Sequence, residues 1–351
     1  MEEQKPKVLF SVQQISGYLL AGLRELSEVA EVVILYIPFE GFIAEDDPLK
    51  CKIKWIDQTK YYTVSKVLNE LNGWTPDIYC CGGWVYKPYL ALARYFKRNR
   101  HTINVLRIDT AWRGDVKQWI HCFLSRFRMT PFFHWGWGAG PKQELYLQKL
   151  GLKNTKSGVY AADVDKFKGI AKGRTRPWPH RFLYIGRYVE VKNMRRMECA
   201  FLKALSLYSE SDWELVCIGD GELWNQRTLH PKITHIGYKG PWEIQQYVGN
   251  AGCFILPSIY EPWGVVVQEA AVMGLPMICS NQVNSTSQYL KDGQNGFKFD
   301  PWNIDDITRA FLQIMKMPDS KLEEMGTCSY KIGIAYTPRD WSNRLLSFLK
   351  L

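Results

Sequence analysis

Two glutamates, Glu261 and Glu269, have the residue type and the spacing to bind a ligand together. The apolar run Cys253–Leu256 predicts a buried strand, and the helical pattern after it stops at Gly274 and Pro276. Because eight residues make a little over two helical turns, both carboxylates are expected on nearly the same face of that helix. There they can accept hydrogen bonds from the hydroxyl groups of two linked sugars.

The start of this predicted helix is a second candidate binding feature. Pro262 suits a first helical turn, and Gly264 allows a close approach of backbone. A helix start presents unpaired N–H groups and a positive dipole end, which favour an anion such as a diphosphate. We therefore predict that Gly264 and its neighbours Trp263 and Val265 contact a diphosphate-bearing ligand.

The stretch 254–301 resembles the retaining glycosyltransferases of family 4, which have the GT-B fold. The resemblance rests on Glu-x7-Glu between a Pro-Ser dipeptide and Gly-Leu-Pro, and on DGQNGFKFDP, which looks like the family's DGxNGxxxxP turn. It implies that Glu261 holds the transferable sugar of a nucleotide-diphosphate donor and that Glu269 holds the ribose. The alternative is a buried helix with incidental acids.

Two cations match another motif of the same family. Arg187 and Lys192 have the GRxxxxK spacing after a predicted strand that runs into Gly186. The resemblance places both cations at the donor diphosphate, where they neutralise the charge that develops on the leaving group. The alternative is that Lys192 only opens the helix predicted over 193–208. No Asp-x-Asp pair follows a predicted strand end, so we expect neither a metal nor a bound cofactor.

The first half of the chain is predicted to be a Rossmann-like domain. Its strands are expected at 7–12, 31–37, 52–56, 77–81 and 103–108, with helices between them. Gly17 lies where related enzymes bring backbone amides to the donor phosphates, although a plain turn is the alternative. Asp109 takes the place of a histidine that the family usually has near the reacting carbon. Either Asp109 contributes to catalysis or the catalytic competence of the chain is in doubt.

The predicted fold class is α/β, with two Rossmann-like domains of the GT-B type facing across a cleft. The first domain is expected over 1–167 and the nucleotide-sugar domain over 182–336. The segment 168–181 has two glycines, two prolines and no periodicity, which indicates a linker. A last helix over 337–351 is expected to pack back on the first domain.

The charge of the chain is concentrated in one stretch. Residues 87–156 hold fourteen Lys and Arg against three acids, which accounts for the whole net charge of +10. This stretch is either a solvated basic face or a surface for phospholipid or a phosphate-bearing acceptor. The helix predicted over 115–128 carries an apolar stripe within it, formed by Val116, Trp119, Ile120, Phe123, Leu124 and Phe127. Such a stripe favours core packing over a membrane anchor.

Cysteine usage and the N-terminal sequence bear on location. The nine cysteines are odd in number and form no CxxC pair, which predicts reduced thiols. The N-terminus passes from acids into a strand, unlike a secretory leader, and no apolar run approaches the roughly 20 residues of a membrane span. We therefore expect a cytoplasmic protein, with peripheral docking at the inner face of the membrane as a further hypothesis.

The predicted function is transfer of a sugar from a nucleotide-diphosphate donor, UDP in preference to GDP, with retention of configuration. The expected acceptor is a hydroxyl of a surface polysaccharide or a lipid-linked glycan. One alternative is a glucosyltransferase that modifies nucleic acid, because basic and aromatic residues also suit phosphate backbones. Another is a catalytically silent scaffold subunit, suggested by Asp109 and by Asn284, which stands where the family commonly has glycine.

Overall fold

The computed structural model describes residues 4–38, 47–98, 101–172, 177–240 and 243–350. The chain forms two compact units, one made of Met1–Ala161 with Thr337–Leu351 and the other of Ala162–Tyr336. Each unit is built on one parallel β-sheet. The two sheets agree with the predicted pair of Rossmann-like domains.

The first unit contains a seven-stranded sheet in the order β3-β2-β1-β4-β5-β6-β7. Its strands are β1 Lys7–Val12, β2 Glu31–Tyr36, β3 Lys54–Asp57, β4 Ile78–Cys81, β5 Ile103–Ile108, β6 Trp135–Gly138 and β7 Thr155–Ser157. Its helices are α1 Gly17–Val29, α2 Leu49–Lys52, α3 Val64–Leu71, α4 Lys87–Arg98, α5 Val116–Arg128, α6 Pro141–Lys149 and, from the end of the chain, α14 Pro338–Leu346.

The second unit contains a six-stranded sheet in the order β10-β9-β8-β11-β12-β13. Its strands are β8 Arg181–Ile185, β9 Glu214–Ile218, β10 Ile233–Gly237, β11 Cys253–Leu256, β12 Met277–Ser280 and β13 Gly296–Phe299. Its helices are α7 Val164–Lys172, α8 Met194–Leu207, α9 Ile244–Val248, α10 Val265–Val272, α11 Thr286–Tyr289, α12 Ile304–Met315 and α13 Asp319–Gly333.

Both sheets reverse their strand order once. In the first unit the reversal lies between β1 and β4, and in the second it lies between β8 and β11. The loops that leave two such strands diverge from each other at the carboxyl end of the sheet, and the crevice between them is where open α/β sheets bind ligands. The strand order therefore points to one candidate position in each unit.

The last helix belongs to the first unit, as predicted. Its N-terminus is closed by a capping box between Thr337 and Asp340. The ring of Trp341 stacks on Phe10 at a centroid distance of 5.9 Å, and its indole N–H donates to the Val159 carbonyl at 2.7 Å. Gly22 lies so close to this indole that an added Cβ would come within 2.6 Å of it. The tryptophan therefore joins α14 to the core of the first unit.

The structure corrects several expectations about individual segments. Helix α7 extends to Lys172, so the beginning of the predicted linker is helical; residues 173–176 lie outside the described part of the chain. Strand β13 forms within the DGQNGFKFDP segment that we expected to be a turn. Strand β6, with the sequence WGWG, was not predicted because glycine is unfavourable in strands. A Cβ at Gly136 would come within 2.9 Å of Leu147, so tertiary packing requires glycine there.

Candidate functional site

The loops after β8 and β11 bring Lys192 and Glu261 into direct contact. The lysine ammonium forms an ion pair with Oε2 of the glutamate, and the two side chains are only 16% and 15% exposed. The hydroxyl of Ser258 donates to the same carboxylate oxygen at 3.4 Å. Two of the predicted site residues, 69 positions apart, thus meet at the strand-order reversal of the second unit.

Asn193 fixes the end of the loop that carries Lys192, a role that the sequence did not predict. Its backbone is left-handed, with φ of 61°, a conformation that asparagine tolerates better than most residues. Its buried side-chain amide donates to the carbonyls of Pro257 at 3.1 Å and Pro301 at 2.8 Å. The loop after β8 is therefore tied to the loop after β11 directly beside the ion pair.

Arg187 is exposed at the beginning of the same loop. Its carbonyl accepts a hydrogen bond from the Tyr184 hydroxyl at 3.0 Å. The loop after β9 packs tightly against it, because a Cβ at Gly219 would lie 1.8 Å from the Gly186 carbonyl oxygen. The glycine at 219 therefore permits the backbone approach that holds the Gly186–Arg187 turn in place.

Glu261 does not lie on the helix, contrary to our prediction that it shares a helical face with Glu269. Helix α10 begins only at Val265, after Gly264 in a left-handed conformation with φ of 90°. Glu261 instead pairs with Val283 in an isolated β-bridge. A Cβ at Gly264 would lie 2.9 Å from Cγ of Glu261. Gly264 thus starts the helix late and leaves space for the glutamate side chain.

Asn284 and Ser285 bind the loop that carries Glu261. The Asn284 amide donates to the carbonyls of Glu261 at 3.0 Å and Pro262 at 3.2 Å. The Ser285 hydroxyl donates to the Gly264 carbonyl at 2.9 Å. These two residues therefore position the segment 261–264 of the candidate site.

Trp263 and Val265 differ in their access to a ligand. The Trp263 side chain is only 3% exposed and packs against Tyr289, so its indole is a packing group instead of the exposed contact that we expected. Val265 is half-buried at the first position of α10. The backbone at the start of this helix is therefore the part of the segment that can face an anion.

Glu269 lies in the second turn of α10, where burial raises the pKa of its carboxyl group to about 7. Lys166 lowers this pKa and Asp163 raises it, and both effects are smaller than that of burial. The group is thus partly protonated near neutral pH, and it carries a full charge only at higher pH. As a hydrogen-bond partner of hydroxyl groups it can act as acceptor in either form.

The raised pKa of Glu269 predicts a loss of stability as the pH rises. The folded state keeps a proton that the unfolded state, with an ordinary pKa of 4.5, releases. The free energy of unfolding therefore falls between about pH 4.5 and 7, because stability decreases with rising pH wherever the folded state binds more protons than the unfolded state. Compared with the wild type, Glu269→Gln should gain in thermal unfolding temperature as the pH rises through this window. A difference between the two proteins that does not change with pH would contradict the prediction. Glu324→Gln is the control, because Glu324 is an exposed acid of the same unit.

Gln268 holds α10 in place, a role that no local sequence pattern indicates. The side chain is fully buried, and its oxygen accepts a hydrogen bond from the Ala162 N–H at 2.7 Å. Its amide group donates to the carbonyls of Gly333 at 3.1 Å and Tyr336 at 2.7 Å. One side chain on the helix of Glu269 therefore binds the first and the last residue of the second unit, Ala162 and Tyr336.

The first unit has its own cavity at the reversal between β1 and β4, with a volume of about 310 Å³. Its lining includes Gln13, Tyr18, Trp84, Arg107, Asp109 and Tyr160. The Tyr160 hydroxyl donates to Asp109 at 3.2 Å, and burial raises the pKa of this tyrosine, so that it remains a donor. The guanidinium of Arg107 lies 5.6 Å from the centre of the Tyr160 ring. Asp109 thus lines a cavity that also contains a cation and aromatic rings.

Gly17 adjoins this cavity through its neighbours Ser16 and Tyr18. It is the first residue of α1, and a Cβ placed on it would meet no atom within 4 Å. Neither packing nor backbone conformation therefore requires glycine at this position. The alternative of a plain turn is not observed, because Gly17 opens a helix, and the open space beside it can admit a ligand.

The described residues contain neither a metal-binding cluster nor a membrane-spanning helix. No group of three or more His, Cys, Asp or Glu side chains in this part of the chain could hold a metal ion. None of the helices among these residues has the length and apolar character to cross a membrane. All nine cysteines are free.

One family model matches a part of the chain. Residues 166–331 match the model described as Glycosyl transferases group 1. The two parallel-sheet units correspond to the GT-B fold. Among curated relatives, O-antigen chain mannosyltransferase B of Escherichia coli is 29% identical over 175 residues, covering 47% of this chain and 44% of the relative. Lipopolysaccharide 1,6-galactosyltransferase of Salmonella typhimurium is 28% identical over 269 residues, covering 73% of this chain and 70% of the relative.

The solved structures confirm the predicted fold. Anabaena HepE in complex with UDP and glucose superposes with a TM-score of 0.73 at 12% identity, covering 98% of this chain and 99% of that one. This likeness extends to both Rossmann-like units, whereas the family model matches the second unit alone. The chain spans less than half the length of the E. coli mannosyltransferase that it matches.

Proposed function

We propose that this protein is a retaining glycosyltransferase that uses a nucleotide-diphosphate sugar as its donor. The observation that carries the proposal is the contact of Lys192 with Glu261 at the strand-order reversal of the second unit. A cation for phosphate and a carboxylate for sugar hydroxyls lie there side by side, next to the start of α10. The UDP and glucose in the HepE structure support a donor of this class and favour UDP over GDP.

The donor diphosphate is proposed to bind Arg187, Lys192 and the first N–H groups of α10. Without a ligand the Lys192 ammonium is paired with Glu261, so a diphosphate would share or take over this cation. The released Glu261 carboxylate could then accept hydrogen bonds from the donor sugar, while Glu269 does so from the ribose. As charge develops on the leaving diphosphate, the two cations stabilise it, and the diphosphate helps to deprotonate the acceptor hydroxyl.

The cavity of the first unit is the proposed acceptor site. Arg107 suits a phosphate or another anionic group of the acceptor, and Trp84 offers a face for a sugar ring. Asp109 can accept a hydrogen bond from the acceptor hydroxyl in addition to that from Tyr160. The O-antigen and lipopolysaccharide enzymes among the relatives support a surface polysaccharide or a lipid-linked glycan as the acceptor class.

Gly17→Ala separates a ligand contact from a structural role of this glycine. Because a Cβ there meets nothing within 4 Å, the variant should fold, and a helical alanine should stabilise it by up to about 1 kcal/mol. If donor phosphates approach the start of α1, the added methyl group should raise the donor KM roughly tenfold. Steady-state kinetics and thermal unfolding measure the two effects. An unchanged donor KM would remove Gly17 from the site.

Ligand-dependent unfolding tests the proposed donor class directly. A ligand that binds only the folded state raises the free energy of unfolding, by about 2.7 kcal/mol at a concentration of 100 times its Kd. The unfolding temperature rises as a result. UDP-glucose and GDP-mannose should be compared with ATP and with the free sugars. We expect a nucleotide-diphosphate sugar to stabilise the wild type and to have a weaker effect on Lys192→Ala. Stabilisation by duplex DNA, but by no nucleotide sugar, would favour the nucleic-acid alternative.

A further inference from the structure

Helix α5 is oriented opposite to the expectation from its sequence. The residues that it buries are Gln118, Cys122 and Ser125. The apolar stripe that we expected to pack in the core faces outward, with exposed fractions of 73% for Val116, 55% for Trp119, 56% for Ile120, 67% for Phe123, 37% for Leu124 and 73% for Phe127. These six residues follow the helical repeat and form one continuous apolar face, which we call the α5 face.

Hydrogen bonds of the buried side hold this orientation. The Gln118 side chain donates to the Ala111 carbonyl at 2.9 Å and accepts from the Arg113 N–H at 2.7 Å. The Ser125 hydroxyl donates to the Leu150 carbonyl at 3.2 Å. Turning the α5 face inward would break these bonds and leave buried polar groups unpaired, which is costly. The exposed stripe is therefore part of the stable fold of the first unit.

Cations lie along both edges of the α5 face. By helical position, Lys117 and Arg128 fall on one edge and Arg126 on the other, and all three are exposed. On the edge of Arg126 the ammonium of Lys149, from α6, lies 4.9 Å from the centre of the Trp119 ring. The helix itself contains no acidic residue. An apolar face rich in aromatic residues between two basic edges is typical of helices that lie in the membrane interface.

We propose that the α5 face is a docking surface for an anionic lipid leaflet. The aromatic and aliphatic side chains would enter the boundary between headgroups and acyl chains, and the flanking cations would bind the lipid phosphates. Charge complementarity selects this occupant, because residues 87–156 of the same unit carry fourteen of the basic residues and only three acids. The inference rests on the α5 face and the basic residues around it, and it does not depend on the proposed reaction.

Sedimentation with vesicles tests the docking surface on the full chain. The wild type should bind phosphatidylcholine mixed with phosphatidylglycerol, bind phosphatidylcholine alone more weakly, and dissociate in high salt as screening increases. Phe123→Ser with Phe127→Ser should weaken binding to the mixed vesicles by roughly tenfold or more, because two large apolar side chains are lost. Lys117→Gln with Arg128→Gln should weaken it by roughly tenfold or more as well, since each cation contributes about fivefold.

A matched pair of exposed apolar residues in the second unit provides the control. Leu229 and Trp302 are 80% and 57% exposed, and serine at both positions should leave vesicle binding unchanged. Thermal unfolding of every variant checks the fold. The proposal is overturned when the wild type does not bind mixed vesicles, or when the Leu229 and Trp302 variant loses as much binding as the Phe123 and Phe127 variant. A dimer in sedimentation velocity that the phenylalanine variant dissociates would likewise overturn it, in favour of a second copy as the occupant.

Discussion

Replacing Glu261 or Glu269 by alanine is expected to lower kcat/KM for the donor by about 10- to 150-fold, because a charge-assisted hydrogen bond contributes about 1.5–3 kcal/mol. The two variants should differ in pattern. Glu261→Ala also frees Lys192 from its ion pair, so donor affinity can rise while kcat falls. Glu269→Ala removes only the proposed ribose contact, so its effect should appear mainly in the donor KM. Initial rates over a range of donor concentrations separate these cases.

An acid on the surface of the second unit is the matched control for this pair. Glu324 is 67% exposed and forms an ion pair with Lys321, and alanine at this position should leave kcat/KM unchanged. Thermal unfolding establishes that each variant is folded. Wild-type kinetics in both the Glu261 and the Glu269 variant would remove these two residues from the site.

The second large effect is expected in stability. Gln268→Ala removes three hydrogen bonds and leaves the Ala162 N–H and the carbonyls of Gly333 and Tyr336 without this partner. Each buried group left unsatisfied costs about 1–3 kcal/mol, so the free energy of unfolding should fall by about 3 kcal/mol or more. Urea unfolding of the variant and of the wild type measures this difference.

The control for Gln268→Ala is a glutamine that forms no buried hydrogen bonds among the described residues. Gln226 is exposed in the second unit, and Gln226→Ala should change the free energy of unfolding by less than about 0.5 kcal/mol. Equal stabilities for Gln268→Ala and the wild type would show that Gln268 does not hold α10 in place. A folded but inactive Gln268→Ala would instead show that its main effect is on the position of Glu269.

The strands were the most predictable part of the fold. The apolar runs at β1, β5 and β11 were predicted with the bounds that the structure has, because buried parallel strands are short continuous apolar segments. Strand β6 was missed for a physical reason. Its glycines are required by close packing against α6, and such packing is a property of the tertiary structure.

The direction of the apolar stripe on α5 could not be predicted from periodicity. The spacing of Trp119, Phe123 and Phe127 shows that they share a face, but it does not show whether this face points to the core or to solvent. The orientation is decided by Gln118 and Ser125. Gln118 donates to the carbonyl of Ala111 in the loop before the helix, and Ser125 donates to the carbonyl of Leu150, which is 25 residues away in sequence. A polar face of that kind looks like an ordinary solvated face in the sequence.

The candidate site was predictable in its residue types and not in its geometry. Motif spacing identified Lys192 and Glu261, and the structure pairs them. The expectation that Glu261 lies on a helix was wrong, because Gly264 is left-handed and delays the start of α10. The residues that hold the site, Asn193 and Gln268, form bonds over long sequence separations. Such partners leave no local pattern in a sequence.

Donor turnover followed by proton NMR tests the central claim most directly. The purified chain is incubated with UDP-glucose or GDP-mannose in the absence of an acceptor, in buffer with and without EDTA, and the anomeric signal of the released sugar is recorded before it mutarotates. The proposal predicts slow release of a sugar with the configuration of the donor, unaffected by EDTA and lost in Lys192→Ala with Glu261→Ala. Release of the opposite anomer would contradict retention. An intact donor after prolonged incubation, with no stabilisation of the protein by either nucleotide sugar, would contradict the proposal that the protein is a glycosyltransferase.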